Sequence, residues 1–555
     1  MRIDRRKALA LLGVGAAAPA ARAMASLPKP DGVFRHGVAS GDPLQDRVVI
    51  WTRFTPMPGV AVPARGFPIR WEVMPAPLGQ TVAKGVAWAT PDRDFTVKVD
   101  VGGLKSGTDY VYQFSAGPVG ISGRTRTLPE GSTKDVVLAV ASCTLYPAGY
   151  FNAYRAIADL PRVDAVLHLG DYLYEYGGAG SYGMNSPVAG ERPHDPPHEI
   201  VSLADYRRRH AQYKADPDLQ AAHARAPWIV AWDDHETANN SWLHGAENHT
   251  PAQEGDWNAR KAAALKAYYE WMPIREPGAG QDFVSATERA FHFGDLASLI
   301  MIETRLGARD QQLEFETHLP VVDGKPDVAA FRAKLTDPKR RMMGQRQEAW
   351  IAGELARSAK AGHAWQVIGN QVVMARVNGV TRKALTADEI AKASPRALQR
   401  MERNARPAEL GLPVALDMWD GYPVDRERLY AMFRNAGARP VVVSGDSHSF
   451  WANELHDEQG RRVACEFGTT GVTSPGAGEF APGLDTGDLI ARVNPEVVYN
   501  NQVAKGFVLL TLTRTDAKAE MVAVSTTTSR EFKAAPVKTF RVTPEGAGVS
   551  KLSEA

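Results

Sequence analysis

Between residues 134 and 545 one pattern recurs: a short, mostly apolar run, often followed by a helical stretch. The runs are 136–141 (VVLAVA), 165–169 (AVLHL), 228–231 (WIVA), 297–302 (ASLIMI), 365–368 (WQVI) and 440–443 (PVVV). Runs of this length without apolar–polar alternation read as strands buried on both faces. Helical periodicity over 206–215, 257–271, 344–358 and 425–436 supplies layers to cover them. The pattern predicts a layered α/β domain, with function expected where the strands end. Two long polar inserts, 177–198 and 378–411, interrupt it. Long loops in a compact domain serve as lids, binding loops or disordered excursions, and the second carries an amphipathic helical stretch.

Residues 33–127 read differently. Short β-rich runs at 47–53 (RVVIWTR), 69–74 (IRWEVM), 95–101 (FTVKVDV) and 110–115 (YVYQFS) alternate with turn residues and show no helical period. They predict a small all-β sandwich over residues 32–130, ahead of the α/β domain at 134–545. The segment 104–114 (LKSGTDYVYQF) resembles a fibronectin type III strand, and its aromatics are expected in a core rather than on a binding face.

At the N-terminus, Arg5 and Arg6, framed by Asp4 and Lys7, precede an Ala/Gly-rich apolar stretch over 8–21 that is too short to span a bilayer. Residues 1–25 therefore read as a twin-arginine signal peptide, with A-x-A cleavage at Ala21/Ala23 or Ala23/Ala25. The expected partner is the twin-arginine export machinery, and the expected location is periplasmic or secreted. No other stretch is apolar enough for a membrane helix. With 65 basic against 63 acidic residues, bulk electrostatics argue against a stable nucleic acid complex. Cys143 and Cys465 are the only cysteines. In an exported protein they could form one disulfide, unless Cys143 has another use.

That other use is suggested by four strand ends that finish in metal-competent residues: 141–143 (ASC), 170–174 (GDYLY), 232–236 (WDDHE) and 444–448 (SGDSH). Each alone reads as a turn or a helix cap. Their recurrence points to a metal site. Asp171 can bridge two cations, and Tyr174, three residues on, can supply a phenolate. Phenolate and the Cys143 thiolate both suit ferric iron, which also accepts the imidazole of His448. Oxygens at Asp234, Asn240 and Asp446 suit a harder ion such as calcium or magnesium.

In family order, the segments 36–53 (HGVASGDPLQDRVVIWTR), 170–176 (GDYLYEY), 232–240 (WDDHETANN), 303–305 (ETR), 344–355 (GQRQEAWIAGEL), 419–423 (WDGYP) and 445–451 (GDSHSFW) carry a definite resemblance. The chain is similar to the metallophosphoesterase superfamily, specifically the PhoD-like alkaline phosphatases. The resemblance implies a fibronectin-like domain followed by a catalytic domain that binds Fe3+ and Ca2+, or another divalent ion in place of Ca2+. It assigns Cys143, Asp171, Tyr174 and His448 to the iron side, with Asp171 shared. Asp234, Asn240 and Asp446 fall at or around the calcium side, with Asn239 an alternative to Asn240. Glu303 departs from the Asp that the family places before Thr-Arg.

The resemblance further implies a phosphate ester substrate and a two-metal hydrolysis, in which the cations activate water and clamp phosphate oxygens. Arg305 is either a grip on a phosphate oxygen or a structural ion-pair partner. His235 either bonds phosphate and protonates the leaving alkoxide or only orients a ligand. His194, His198 and His244, in polar loops, are expected to be solvated. The expected activity is hydrolysis of phosphomonoesters, phosphodiesters or both. The alternatives are a phospholipase D-like diesterase and a non-catalytic secreted binding protein.

Overall fold

The computed structural model describes residues 31–555 apart from Leu78 and Ala179, so the expected signal peptide lies outside the described residues. Seven strands build the N-terminal sandwich: β1 (Val38–Gly41), β2 (Val48–Arg53), β3 (Phe67–Pro75), β4 (Ala83–Ala89), β5 (Thr96–Val101), β6 (Asp109–Ala116) and β7 (Val119–Arg126). An antiparallel sheet in the order β4-β3-β6-β7 faces β1-β2-β5. Every second side chain turns inward, as a period of two requires, so Phe67, Ile69, Tyr110, Tyr112 and Phe114 meet Ile50 and Val97 in one core. The aromatics of 104–114 are core residues, as expected.

The sandwich is joined to the α/β domain through one of its own sheets. Gly41 of β1 pairs in parallel with Trp228, and this attaches β1-β2-β5 to the edge of the large sheet. A Cβ at Gly41 would lie 2.2 Å from the Pro273 carbonyl oxygen and 2.7 Å from that of Trp228, so only glycine allows this approach.

The α/β domain contains β8 (Asp135–Ala141), β9 (Ala165–His168), β10 (Trp228–Val230), β11 (Arg289–Phe293), β12 (Ala297–Met301), β13 (Trp365–Gly369) and β14 (Pro440–Ser444). After these come β15 (Phe450–His456), β16 (Arg462–Gly468), β17 (Val497–Asn501), β18 (Lys505–Thr513), β19 (Ala517–Val524), β20 (Ala534–Val542) and β21 (Ser553–Glu554). One sheet runs β21-β20-β19-β18-β8-β9-β10-β1-β2-β5 and the other β11-β12-β13-β14-β16-β15-β17. β8, β9 and β10 are parallel in the first, and β12, β13, β14 and β16 in the second.

The two sheets pack face to face through Leu138, Val140, Leu167 and Ile229 against Leu299, Met301, Val367 and Val443. Helices cover the outer faces. Against the first sheet lie α1 (Asn152–Ala158), α2 (Leu203–Lys214), α3 (Pro217–Arg225) and α4 (Trp257–Trp271). Against the second lies α5 (Gln345–Lys360); α6 (Pro395–Glu409) belongs to the second polar insert, and α7 (Pro423–Ala436) packs beside α5. Helix, sheet, sheet and helix layers leave the central strands buried on both sides, which is why they read as continuous apolar runs.

Candidate metal centre

Strands β8, β9 and β10 of one sheet and β14 of the other end together at one edge of the sandwich. The two sheets touch closely there, since a Cβ on Gly445 would lie 2.7 Å from Ser142 Oγ. Among the described residues nine non-glycine residues have positive φ, and five of them are expected ligands: Cys143 (60°), Asp171 (54°), Asn240 (51°), Asp446 (59°) and His448 (55°). Left-handed backbone is unfavourable for such residues, and its concentration here marks a site shaped for something other than stability.

Cys143, Asp171 and His448 bring Sγ, a carboxylate oxygen and a ring nitrogen within 4.8 Å of one another. Tyr174 Oη lies 3.0 Å from Asp171 Oδ2 and 3.0 Å from His448 Nε2, and Ser474 Oγ donates to it at 2.8 Å. His448 Nδ1 is 2.9 Å from the Pro475 carbonyl oxygen, so it carries the proton and leaves Nε2 with a free lone pair facing Tyr174. Burial pulls this imidazole down to about 3, in favour of the neutral form that binds metals.

Asp171 also belongs to a second group, with Asp233, Asp234 and Asp446, whose oxygens converge within 4.8 Å. Asp171 Oδ1, Asp233 Oδ2 and Asp234 Oδ1 are buried and accept no hydrogen bond. Burial, reinforced by the neighbouring carboxylates, pushes Asp171 and Asp233 well above the usual carboxylate range and Asp446 up to about 8. Burial likewise raises the Cys143 thiol and the Tyr174 phenol. Asp234 alone is depressed: burial opposes this, but Arg305, His235 and the Asn240 backbone N–H, 2.6 Å from Oδ2, outweigh it. Packed anions with unfilled acceptors are costly unless cations join them, so this donor set fits metal ions.

Of the two asparagines, Asn240 makes the backbone contact with Asp234, whereas the Asn239 backbone N–H bonds Glu175 Oε1 at 2.7 Å. His235 Nδ1 sits 2.7 Å from Glu175 Oε2, and Asn248 Nδ2 donates to the other oxygen at 2.8 Å. Burial would lower His235, but Glu175, Asp234 and Asp171 together hold it well above the ordinary imidazole value.

Arg305 is an ion-pair partner that keeps one donor position free. It is fully buried; Nε donates to Asp233 Oδ1 and Nη1 reaches both Asp417 oxygens at 2.8 Å. Nη2 makes no hydrogen bond and faces Asp446 at 3.6 Å and Asp234 at 3.8 Å. Glu303 is not an ion-pair partner of this guanidinium. Its carboxylate instead accepts the backbone N–H groups of Arg305 (2.9 Å), Leu306 (2.7 Å) and Gly307 (2.8 Å) and the Trp232 indole N–H (3.1 Å).

Several participants were not singled out in the sequence. Asp233, Glu175 and Glu236 lie inside the GDYLYEY and WDDHETANN motifs, but linear spacing gave no sign of their directions. Glu236 staples two strand ends by accepting the backbone N–H groups of Asp171 (3.1 Å), Tyr172 (2.6 Å) and Asp233 (2.8 Å). Asp417, Ser474 and Tyr182 arrive from distant loops and carried no signal. One expectation needs correction, and one alternative is closed. Cys143 and Cys465 are both free, with Cys465 in the core between the sheets, so the disulfide left open by the sequence does not form. His194 is buried, because its insert folds onto α2 and Nδ1 bonds the Tyr176 carbonyl oxygen at 2.7 Å. His198 and His244 are exposed, as expected.

Residues 138–521 match the PhoD-like phosphatase family, and residues 18–129 match the PhoD-like phosphatase N-terminal domain. The chain is 35% identical over 504 residues to alkaline phosphatase D of Bacillus subtilis (strain 168), covering 88% of this chain and 77% of that protein. A solved structure described as the structure of PhoD superposes with a TM-score of 0.77 at 32% identity, covering 95% of this chain and 93% of the other.

Proposed function

This chain belongs to the PhoD-like phosphatase family and hydrolyses phosphoric esters, and from that premise we propose that its reaction depends on a ferric ion and a calcium ion held side by side. The observation that carries the reading is the set of buried oxygens without donors on Asp171, Asp233 and Asp234. Cys143, Asp171, Tyr174 and His448 suit the trivalent ion, through thiolate, shared carboxylate, phenolate and neutral imidazole. Asp234, Asn240 and Asp446, with Asp171, suit calcium or another hard divalent ion. Bound there, the cations supply Lewis acidity toward phosphate oxygens and water.

The chain's own groups do the rest. Asp233 and Asp417 fix the Arg305 guanidinium, and its free Nη2, on the side of Asp234 and Asp446, is the donor offered to a non-bridging phosphate oxygen. His235, held by Glu175 through Nδ1, donates a proton to the leaving alkoxide. Burial of the cluster keeps bulk water from weakening these contacts. Residues 1–25, read as a twin-arginine signal, support action outside the cytoplasmic membrane.

Metal content and visible absorption, measured on protein purified without chelator and compared with rates on one monoester and one diester, test this directly. Iron with a phenolate or thiolate charge-transfer band is expected. Colourless, iron-free and fully active protein would overturn the proposal.

A further inference from the structure

A second cavity, of about 270 Å³, adjoins the metal-binding loops and plays no part in the proposed metal chemistry. Its walls include Val380, Met401, Met418, Trp451, Leu484 and Leu489. Two of its lining residues are chain neighbours of site residues. Ser447 lies between Asp446 and His448, and Met418 is next to Asp417, the carboxylate that holds Arg305. The hydroxyls on this side are already used: Trp451 Nε1 donates to Ser447 Oγ at 2.7 Å, and Ser449 Oγ donates to the Ser447 carbonyl oxygen at 3.0 Å.

Among the described lining residues one is charged, Arg400, and its guanidinium lies over the Phe480 ring 5.0 Å from the centroid. The far wall comes from α6, through Ala397, Arg400 and Met401, and from residues 477–490. Neither segment supplies a residue to the acid cluster. An open apolar cavity near a reacting centre suits an apolar part of the ligand, and here the insert supplies one wall of it.

We propose that this cavity takes an apolar chain on the organic group of the ester, so that the enzyme prefers phosphate esters bearing an alkyl chain over small polar ones. The proposal deepens the phosphoesterase reading and rests on it. The phosphate is held at the strand ends, and the chain runs past Ser447 and Met418 beneath α6.

The test uses the metal-loaded enzyme and n-alkyl phosphates from ethyl to octyl, with phosphate release as the readout. kcat/KM should rise by about fourfold per added methylene, the ratio that corresponds to about 0.8 kcal/mol for burying a CH2 group. Met401→Glu should flatten this series while leaving ethyl phosphate hydrolysis at the wild-type rate, and Met401→Leu should keep the slope. Val414→Asp, at the partly exposed lip, repeats the test at a position less critical for folding. Equal kcat/KM from ethyl to octyl, or an unchanged slope in both charged variants, would overturn the proposal. Calorimetry with the matching n-alkylphosphonates, which are not hydrolysed, separates the two readings. Chain-length-dependent binding without turnover of any ester would keep the cavity's role and sink the hydrolytic one. Turnover of ethyl phosphate with no chain-length dependence in either series would do the reverse.

Discussion

Two sets of buried carboxylates in the catalytic domain are treated in opposite ways. Glu466, on β16, accepts the backbone N–H groups of Met374 (2.8 Å) and Ala375 (3.1 Å) and the Asn453 amide (2.8 Å). Glu303, beyond the end of β12, accepts three backbone N–H groups and an indole N–H. Asp171, Asp233 and Asp234 are as deeply buried, yet each keeps an oxygen that no donor reaches. Where donors surround a carboxylate, it pins loops and supports the fold. Where carboxylates face one another, the arrangement opposes the fold and suits the proposed binding of cations.

The largest expected effects come from exchanging these roles. Asp171→Asn should lower activity by about a thousandfold or more and reduce the content of both metals. Its metal-free form should be at least as stable as the wild type, because a buried like charge has gone. Glu466→Ala should do the opposite. Three donors left unpaired should cost about 3–5 kcal/mol in urea unfolding, with kcat per folded molecule unchanged. Unchanged metal content in Asp171→Asn, or a catalytic defect without instability in Glu466→Ala, would break the comparison.

Arg305 stands between the two sets, with two donor positions committed to carboxylates and one free. Arg305→Ala should therefore lose on both counts: about 3–5 kcal/mol of stability from stranding Asp233 and Asp417, and roughly a hundredfold in kcat/KM of the folded fraction. Arg305→Lys keeps the charge but cannot reach three partners, so it should recover only part of each. A folded fraction with wild-type kcat/KM would leave the ion pairs as its whole role.

A smaller effect, with a definite sign, concerns pH. Burial holds Asp446 at about 8 and Glu236 at about 7, both far above the values of an unfolded chain. Below about pH 6.5 buried neutral imidazoles such as His168 and His194, both held down to about 3, work in the opposite sense, so it is between roughly pH 6.5 and 8 that these carboxyls leave the metal-free native state with protons the unfolded state has released. Stability in chelator should fall as pH rises through that window. Added iron and calcium should restore more stability at pH 8 than at pH 5, because deprotonated ligands bind them. Melting temperatures from pH 5 to 9, with and without metal, check this. A Tm in chelator that rises between about pH 6.5 and 8 would contradict it.

The sequence made one half of this comparison legible. Strands that begin a βα unit stood out as apolar runs, the helix over 257–271 was found to its ends, and the metal-competent residues were visible because each comes directly after such a run. β15–β20 were missed because antiparallel neighbours alternate, as in β19 (AKAEMVAV), or bury polar side chains such as Asn453 and Glu466. The union of the sandwich with the main sheet rests on one close approach at Gly41, which no local pattern reports. The donors that distinguish a satisfied carboxylate from an unsatisfied one come from loops far apart in the chain, as with Met374 and Glu466. Spacing can reveal that a residue could bind a metal, but not that it lacks other partners.

The smallest expected effect tests whether the first polar insert belongs to the site or only covers it. Tyr182 donates to the Pro475 carbonyl oxygen at 2.6 Å, sits 3.0 Å from His448 Nδ1, and stacks on that imidazole with ring centroids 6.0 Å apart. The His448 Nδ1–H already has Pro475 as acceptor, so the tyrosine hydroxyl reinforces a geometry that exists without it. Tyr182→Phe keeps the stacked ring and removes one hydrogen bond, which should cost no more than about 1 kcal/mol of stability. A group that orients a metal-binding histidine should nonetheless show in metal retention, with loss of the proposed iron to a chelator faster by about tenfold. The fading of visible absorption after chelator is added measures this without relying on turnover. If the decay matches wild type, the insert only covers the site. If Tyr182→Phe cannot hold iron at all, the hydroxyl's hold on His448 is essential to the site, and the set of pinning groups would have to be redrawn to include the insert.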